Sequence, residues 1–503
     1  MLNHLVIAPV LLPLLAGIGL LLLRPLPIGW RRVLSILAVL AQVGLALLLF
    51  TRVADGGIFT YALGDWPAPY GIVLVADRLA AGMLLITALL ALFALLYAAR
   101  GTDLEGRHFH VLFQLQLFGL NGAFLTGDLF NLFVFFEILL LASYGLLLHG
   151  GGAARTRAGL HFVVINLAGS TLFLFAVGTL YGVLGTLNMA DLARRMAQVG
   201  PAELGLVQAA GLLLFGVFAL KAALVPLYLW LPAAYAGTSA PVAALFAVMT
   251  KVGVYSILRL DTLIFGGLAG DSAHLLGDWL LPLALITLAL GMAGVVASTG
   301  LRRQTAYLVI ASVGTLLTAA GLGTAGGLAA GLYYLPHTTF AAGALFLLTD
   351  GIAYRRGELT DRFQPDGAMS HPRLLGTLFF ITAVLIAGLP PLSGFLAKFL
   401  ILRAALPHPD LAWVMAVVLV TSLLAVIALA RSGSILFYRA RVVAAPAGER
   451  LLPELAPTTA LLLLCLGLAV WAGPVHEFTL NTAEQLYQPQ RYIDAVLDRE
   501  MKP

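Results

Sequence analysis

Fourteen apolar runs, most of them about 18 to 25 residues long, occupy nearly the whole of this 503-residue chain. A helix of that length crosses the roughly 30 Å hydrocarbon core of a bilayer. In hydrocarbon every backbone polar group must find its partner within the protein, which leaves helices or a closed barrel. A barrel would show segments of about ten residues alternating in polarity, and this chain has none. The reading is an all-α polytopic membrane protein. Composition agrees: 61% of residues are hydrophobic and 11% charged, against roughly 25% charged in soluble domains. The net charge of +5 is spread over the connecting loops, so nucleic-acid binding is set aside.

The runs lie near 3–23, 32–51, 77–98, 109–126, 129–148, 160–184, 203–225, 241–260, 278–298, 304–324, 327–350, 373–402, 411–437 and 455–473. No stretch between them is large and polar enough for a soluble domain. The segment 188–200 is predicted to be a short surface helix capped by Asn188, and the tail after residue 474 is polar and amphipathic. The first run lacks a basic leader and a small-residue cleavage site, so it reads as a retained span. Sixteen arginines fall in loops after odd-numbered spans and six in loops after even-numbered ones. Cationic loops stay in the cytoplasm, which puts both termini outside.

Lysine use separates function from topology. The chain has 25 arginines and four lysines, and Lys221, Lys251 and Lys398 lie inside apolar segments. An ammonium can lose its proton when desolvated; a guanidinium effectively cannot. An ionisable group at mid-membrane costs at least about 2.5–3.5 kcal/mol, so three of them need a reason. Snorkelling or a structural ion pair is the plain alternative to a proton relay. Glu137, alone among phenylalanines and leucines in NLFVFFEILLLASYG, is pushed toward its neutral form by desolvation and back by a nearby ammonium. A static salt bridge between helices is the competing account. Asp128 reads as the cap of the fifth span.

Two spans are interrupted by proline near their lysine. In FALKAALVPLYLWLP, Pro226 removes the bond to the Ala222 carbonyl, close to Lys221. In IAGLPPLSGFLAKF, Pro390 and Pro391 do the same ahead of Ser393 and Lys398. Broken spans in matching places of two halves point to an inverted-repeat transport site. Spans four to eight and nine to thirteen form two five-span units with the break in the fourth span of each. The predicted division is a three-helix segment 1–108, repeats 109–260 and 278–437, and a last span with tail 438–503. His337, in YYLPHTTFAAGALFLL, titrates near neutral pH when unperturbed. Alone it would pass for a core histidine; with Tyr333, Tyr334, Thr338 and Thr339 around it, it extends the row Glu137, Lys221, Lys251, His337, Lys398. The GxGxxG match at 321–326 follows no strand and joins two spans, so helix packing explains it better than a dinucleotide. The single cysteine, Cys465, sits in an apolar run, which leaves no disulfide framework and no metal cluster. No cofactor is expected.

DLFNLFVFFE, LKAALVPLYLWLPAAYAGTSAPVAALFAVMTKVG and GLPPLSGFLAKF together resemble the antiporter-like subunits shared by respiratory complex I and the multisubunit Mrp-type cation/proton antiporters. The resemblance covers nearly the whole chain and is nearest to the D-type member of the Mrp antiporters, with the potassium/proton (Pha) branch in view. Two features favour this over a complex I homologue: Lys398 is a lysine where one such homologue carries glutamate, and the chain ends soon after its last span. The resemblance implies Glu137 and Lys221 as the coupled pair of a first half-channel. It implies Lys251 and His337 as a connecting relay, and Lys398 as the terminal group of a second. It further implies a bacterial inner membrane, lipid surroundings, other membrane subunits as partners, and exchange of protons for Na+ or K+ without enzymatic chemistry. A proton-pumping subunit of a redox-driven complex is the alternative. Many relatives carry a lysine a few residues after the span-eleven histidine, where this chain has Phe340-Ala341-Ala342-Gly343; water or tyrosine hydroxyls would have to serve there.

Overall fold

The structure, a computed structural model, describes residues 2–365, 367–438, 440–444 and 451–498. Arg439 and Arg450, two of the loop arginines behind the charge bias, lie outside the described residues. Helices α1 (Ala8–Leu22), α2 (Ile28–Val53) and α3 (Arg78–Ala98) come first, with a hairpin of β1 (Phe59–Ala62) and β2 (Val73–Ala76) between the last two. The next unit runs through α4 (Phe109–Leu125), α5 (Leu129–Leu147), α6 (Ala153–Leu184), α7 (Met189–Met196), α8 (Pro201–Ala222), α9 (Trp230–Gly237), α10 (Ala240–Phe246) and α11 (Met249–Arg259). A second unit holds α12 (Gly277–Ala297), α13 (Leu301–Ala320), α14 (Ala325–Arg355), α15 (Pro372–Ala387), α16 (Ser393–Ala405) and α17 (Leu411–Gly433). Short parallel strands β3 (Ala368–Met369) and β4 (Arg441–Val442) pair beside it. The chain finishes with α18 (Leu451–Val470), α19 (Ala472–Leu486) and α20 (Pro489–Leu497).

Every expected span falls on helix. Among the described residues nine helical stretches are long and apolar enough to cross a membrane, and α1, α4 and α15 are shorter apolar helices. Asp128 caps α5 by accepting from the Asn131 amide at 2.8 Å. Asn188 caps α7 through the Ala190 and Asp191 amides at 3.1 and 3.2 Å, as its sequence predicts. The seventh span, expected to end near residue 225, breaks there and resumes as α9.

Both breaks are satisfied internally, as membrane depth requires. Below the first, Ala223 turns left-handed at φ 60° and the Trp230 indole donates to the Leu220 carbonyl at 3.1 Å. The Val225 amide donates to the Thr287 hydroxyl of α12 at 3.0 Å. At the second, Gly388 ends α15 at φ 78°, a conformation glycine adopts at little cost. An added methyl there would also meet the Lys398 stem at 2.8 Å.

Burial locates the working centre. Within Ala240–Ile264, containing α10 and α11, the 18-residue apolar window is 100% buried, while that within Leu411–Tyr438, containing α17, is only 28% buried. The first is therefore the axis of the bundle and the second lies on its outside. Bilayer helices associate by close packing of small residues, and Gly253 lets α11 touch α8: a Cβ there would lie 2.8 Å from the Ala222 Cα. Gly321, first of the GxGxxG glycines, does the same against Leu281 at 2.9 Å. The tail is more than a surface strip. Gln485 of α19 donates to the Gly56 carbonyl at 3.1 Å, and Tyr492 of α20 lies beneath the Arg259 guanidinium, 5.4 Å away.

Candidate functional site

The ionisable groups fall into two clusters. In the first, α6 supplies the connection between Glu137 and Lys221. The Ser170 hydroxyl donates to a Glu137 carboxylate oxygen. One turn earlier on α6, Asn166 accepts from the Lys221 ammonium at 3.2 Å through its side chain and 3.4 Å through its carbonyl. Lys221 is buried and also faces the Phe136 ring at 5.9 Å. The expected Glu137–Lys221 couple is thus indirect: the two side chains share a helix face of Asn166 and Ser170, spaced four residues apart so that both point the same way.

The second cluster surrounds a small cavity of about 30 Å³. Since one water needs roughly 10–15 Å³ on this measure, it has room for about two. Lys251, with no exposed surface, donates to the Ser312 hydroxyl of α13 at 3.1 Å, and Ser312 lines the cavity. Thr315, Tyr334, His337, Thr338, Lys398 and Ser422 line it too. His337 Nδ1 is 2.9 Å from the Ser393 hydroxyl, the residue that opens α16. Gly394 makes this approach possible, because a Cβ there would sit 2.9 Å from His337 Nε2. Lys398 donates to Ser422 at 3.0 Å and to the Ala387 carbonyl at 2.9 Å. Ala387 is the last residue of α15, so the lysine itself satisfies a carbonyl freed by the Pro390–Pro391 break.

Of the residues singled out by sequence, Lys251, His337, Lys398, Tyr334, Thr338 and Ser393 come together here. Tyr333 does not join them: its hydroxyl donates to the Leu468 carbonyl at 2.7 Å and holds α14 to α18. Asp128 acts on its own helix start. Sequence reasoning missed Asn166, Ser170, Ser312 and Ser422. The i,i+4 polar pair in span six was a usable signal; single serines in spans ten and thirteen were not. Among the described residues no hydrogen bond joins Lys221 to Lys251, and no group of three or more His, Cys, Asp or Glu could hold a metal ion.

Hydroxyls both donate and accept, so Ser312, the threonines and any water between them can pass a proton by reorienting. Lysine and histidine side chains are groups that can hold and release a proton.

Residues 126–425 match the family described as NADH:quinone oxidoreductase/Mrp antiporter, transmembrane. The chain is 42% identical to a probable K(+)/H(+) antiporter D-type chain of Rhizobium meliloti (strain 1021), covering 99% of this chain and 98% of that one. It is 36% identical to the corresponding Na(+)/H(+) antiporter chain of Alkalihalophilus pseudofirmus, covering 98% and 99%. A chain in the structure of the Mrp complex from Dietzia sp. DQ12-45-1b superposes with a TM-score of 0.86 at 28% identity, over 98% of this chain and 99% of that one.

Proposed function

Because the chain belongs to the NADH:quinone oxidoreductase/Mrp antiporter transmembrane family, we propose that it is the proton-translocating subunit of a multisubunit monovalent cation/proton antiporter. It sits in a bacterial inner membrane among other membrane subunits, with both termini outside. The carrying observation is the cavity that connects the Lys251–Ser312 bond to His337 and Lys398. A ring of hydroxyls around buried amines serves a static ion pair poorly, since an ammonium pinned to a carboxylate needs no hydrated corridor.

In the mechanism, a proton arriving at Glu137 weakens the carboxylate's hold on the field around Lys221. The ammonium, held by Asn166, is then free to give up its proton toward the bundle axis. Each transfer changes the charge felt by the next group, through Lys251, the cavity hydroxyls and His337, to Lys398. A membrane potential biases this row by about 2.3 kcal/mol per elementary charge per 100 mV. Residues 109–260 and 278–437 act as the two half-channels. The cation is Na+ or K+, and its exchange involves the partner subunits. Antiport is preferred to a redox-driven pump because the near full-length relatives carry antiporter names.

Glu137→Ala and Lys221→Ala are each expected to abolish cation-dependent proton exchange in everted vesicles while the complex still assembles. Normal exchange by either assembled mutant refutes the relay.

A further inference from the structure

Away from the relay, the connections α1–α2 and α3–α4 enclose a cavity of about 680 Å³. Its lining is strongly basic: Arg24, Arg31 and Arg107 contribute to it, with one acid, Asp103. That acid is already used. Its side chain is fully buried and takes two bonds from Arg32, at 2.6 and 2.7 Å, and one contact from His110 Nε2 at 3.1 Å. Arg24, Arg31 and Arg107 make no ion pair among the described residues.

One donor and one ring nitrogen in this wall are left over. Arg31 Nε is buried without a hydrogen-bond partner, and so is Nδ1 of His110, a residue only 4% exposed. Buried polar atoms are almost always partnered, so the orphaned Arg31 Nε–H on this basic cavity asks for an acceptor. The start of α4 adds to it. His108 stands at its N-cap in a left-handed conformation with no side-chain cap, and no acidic residue lies in the first turn. Its open amides and helix dipole favour an anion.

The surroundings are those of a membrane surface. Leu20 and Ile28 line the same cavity, and Leu22 and Trp30 beside them are 74% and 62% exposed. Tryptophan collects at headgroup level. We propose that this cavity binds the phosphodiester headgroup of an anionic phospholipid, with Arg31, Arg107 and the first amides of α4 on the phosphate and the acyl chains along α1 and α2. Guanidinium pairs suit phosphate geometry, and basic pockets between membrane helices hold such headgroups. A free phosphate would satisfy the same donors but leave the apolar side of the cavity unused.

The test takes the purified, delipidated whole complex and adds phosphatidylglycerol, phosphatidylcholine of the same acyl chains, or sodium phosphate. Bound lipid is counted by native mass spectrometry and the thermal midpoint is followed. Phosphatidylglycerol is expected to bind this subunit and raise the midpoint, and Arg31→Gln/Arg107→Gln to weaken that binding at least about tenfold. Arg52→Gln, away from the cavity, is expected to leave it unchanged. Equal binding by the double variant overturns the proposal, as does equal stabilisation by phosphatidylcholine. Stabilisation by sodium phosphate alone would make this a soluble-anion site and overturn the lipid assignment. Should the double variant fail to assemble, a photoactivatable phosphatidylglycerol on the wild-type complex decides: labelling of the α1–α2 and α3–α4 connections supports the site, and labelling confined elsewhere overturns it.

Discussion

Ser312→Ala removes one oxygen atom from the bundle axis, and the structure sets what that should cost. The Ser312 hydroxyl is the hydrogen-bond acceptor of the Lys251 ammonium, at 3.1 Å, and Lys251 has no exposed surface. A hydrogen bond to a charged group contributes about 1.5–3 kcal/mol. If protons rest on Lys251 and leave through Ser312, losing that bond raises the barrier of the transfer by a similar amount. At about 1.4 kcal/mol per decade, exchange slows roughly 10- to 150-fold. The assay is dequenching of a ΔpH-sensitive dye in everted vesicles on adding Na+ or K+, normalised to assembled complex. Ser312→Thr keeps a hydroxyl and is expected to retain most of the activity. Wild-type exchange by assembled Ser312→Ala would show that protons bypass this contact, and the inference from cavity to conduction would fail.

Arg259 pairs with Asp77 at 2.6 Å, with side chains 5% and 2% exposed. Arg259→Ala should therefore destabilise the complex by about 3–5 kcal/mol, the usual cost of leaving one buried charge unpaired. Removing both partners should cost less, and a thermal midpoint unchanged in the single variant would contradict this. In the loop before α4, burial pushes the Asp103 carboxyl up, but the hydrogen bonds and charges of Arg32 and His110 prevail and hold it at about 2. A depressed value means the pair's stabilisation is complete above the unfolded value near 3.9 and is lost as pH falls from about 4 toward 2. Thermal midpoints measured against pH should show that acid limb in the wild type, and Asp103→Asn should flatten it.

The membrane architecture was legible because bilayer thickness and backbone satisfaction leave few solutions for repeated apolar runs. Glu137, Lys221, Lys251, His337 and Lys398 stood out as candidates too, since ionisable residues in such runs are rare, but their division into two clusters did not show. Nor did their partners. Ser312 and Ser422 look like any small polar residue in a membrane helix, and only the approach of α11 to α13 and of α16 to α17 makes them ligands of an ammonium. Tyr333 and Tyr334 are adjacent and identical in type, yet helical geometry turns them about 100° apart, one toward α18 and one toward the cavity. The β1–β2 hairpin escaped notice because its strands, Phe59–Ala62 and Val73–Ala76, are too short to show a period. The docking of α20 includes the Arg259–Tyr492 contact, which joins residues 233 positions apart.

Lys398→Arg tests the central claim most directly. A guanidinium can keep the positive charge and the bonds to Ala387 and Ser422, but it does not release its proton. If the row works by handing protons on, the arginine variant assembles normally and exchanges no better than Lys398→Ala. Exchange at the wild-type rate by Lys398→Arg would mean that fixed charge suffices there, and the relay would be wrong.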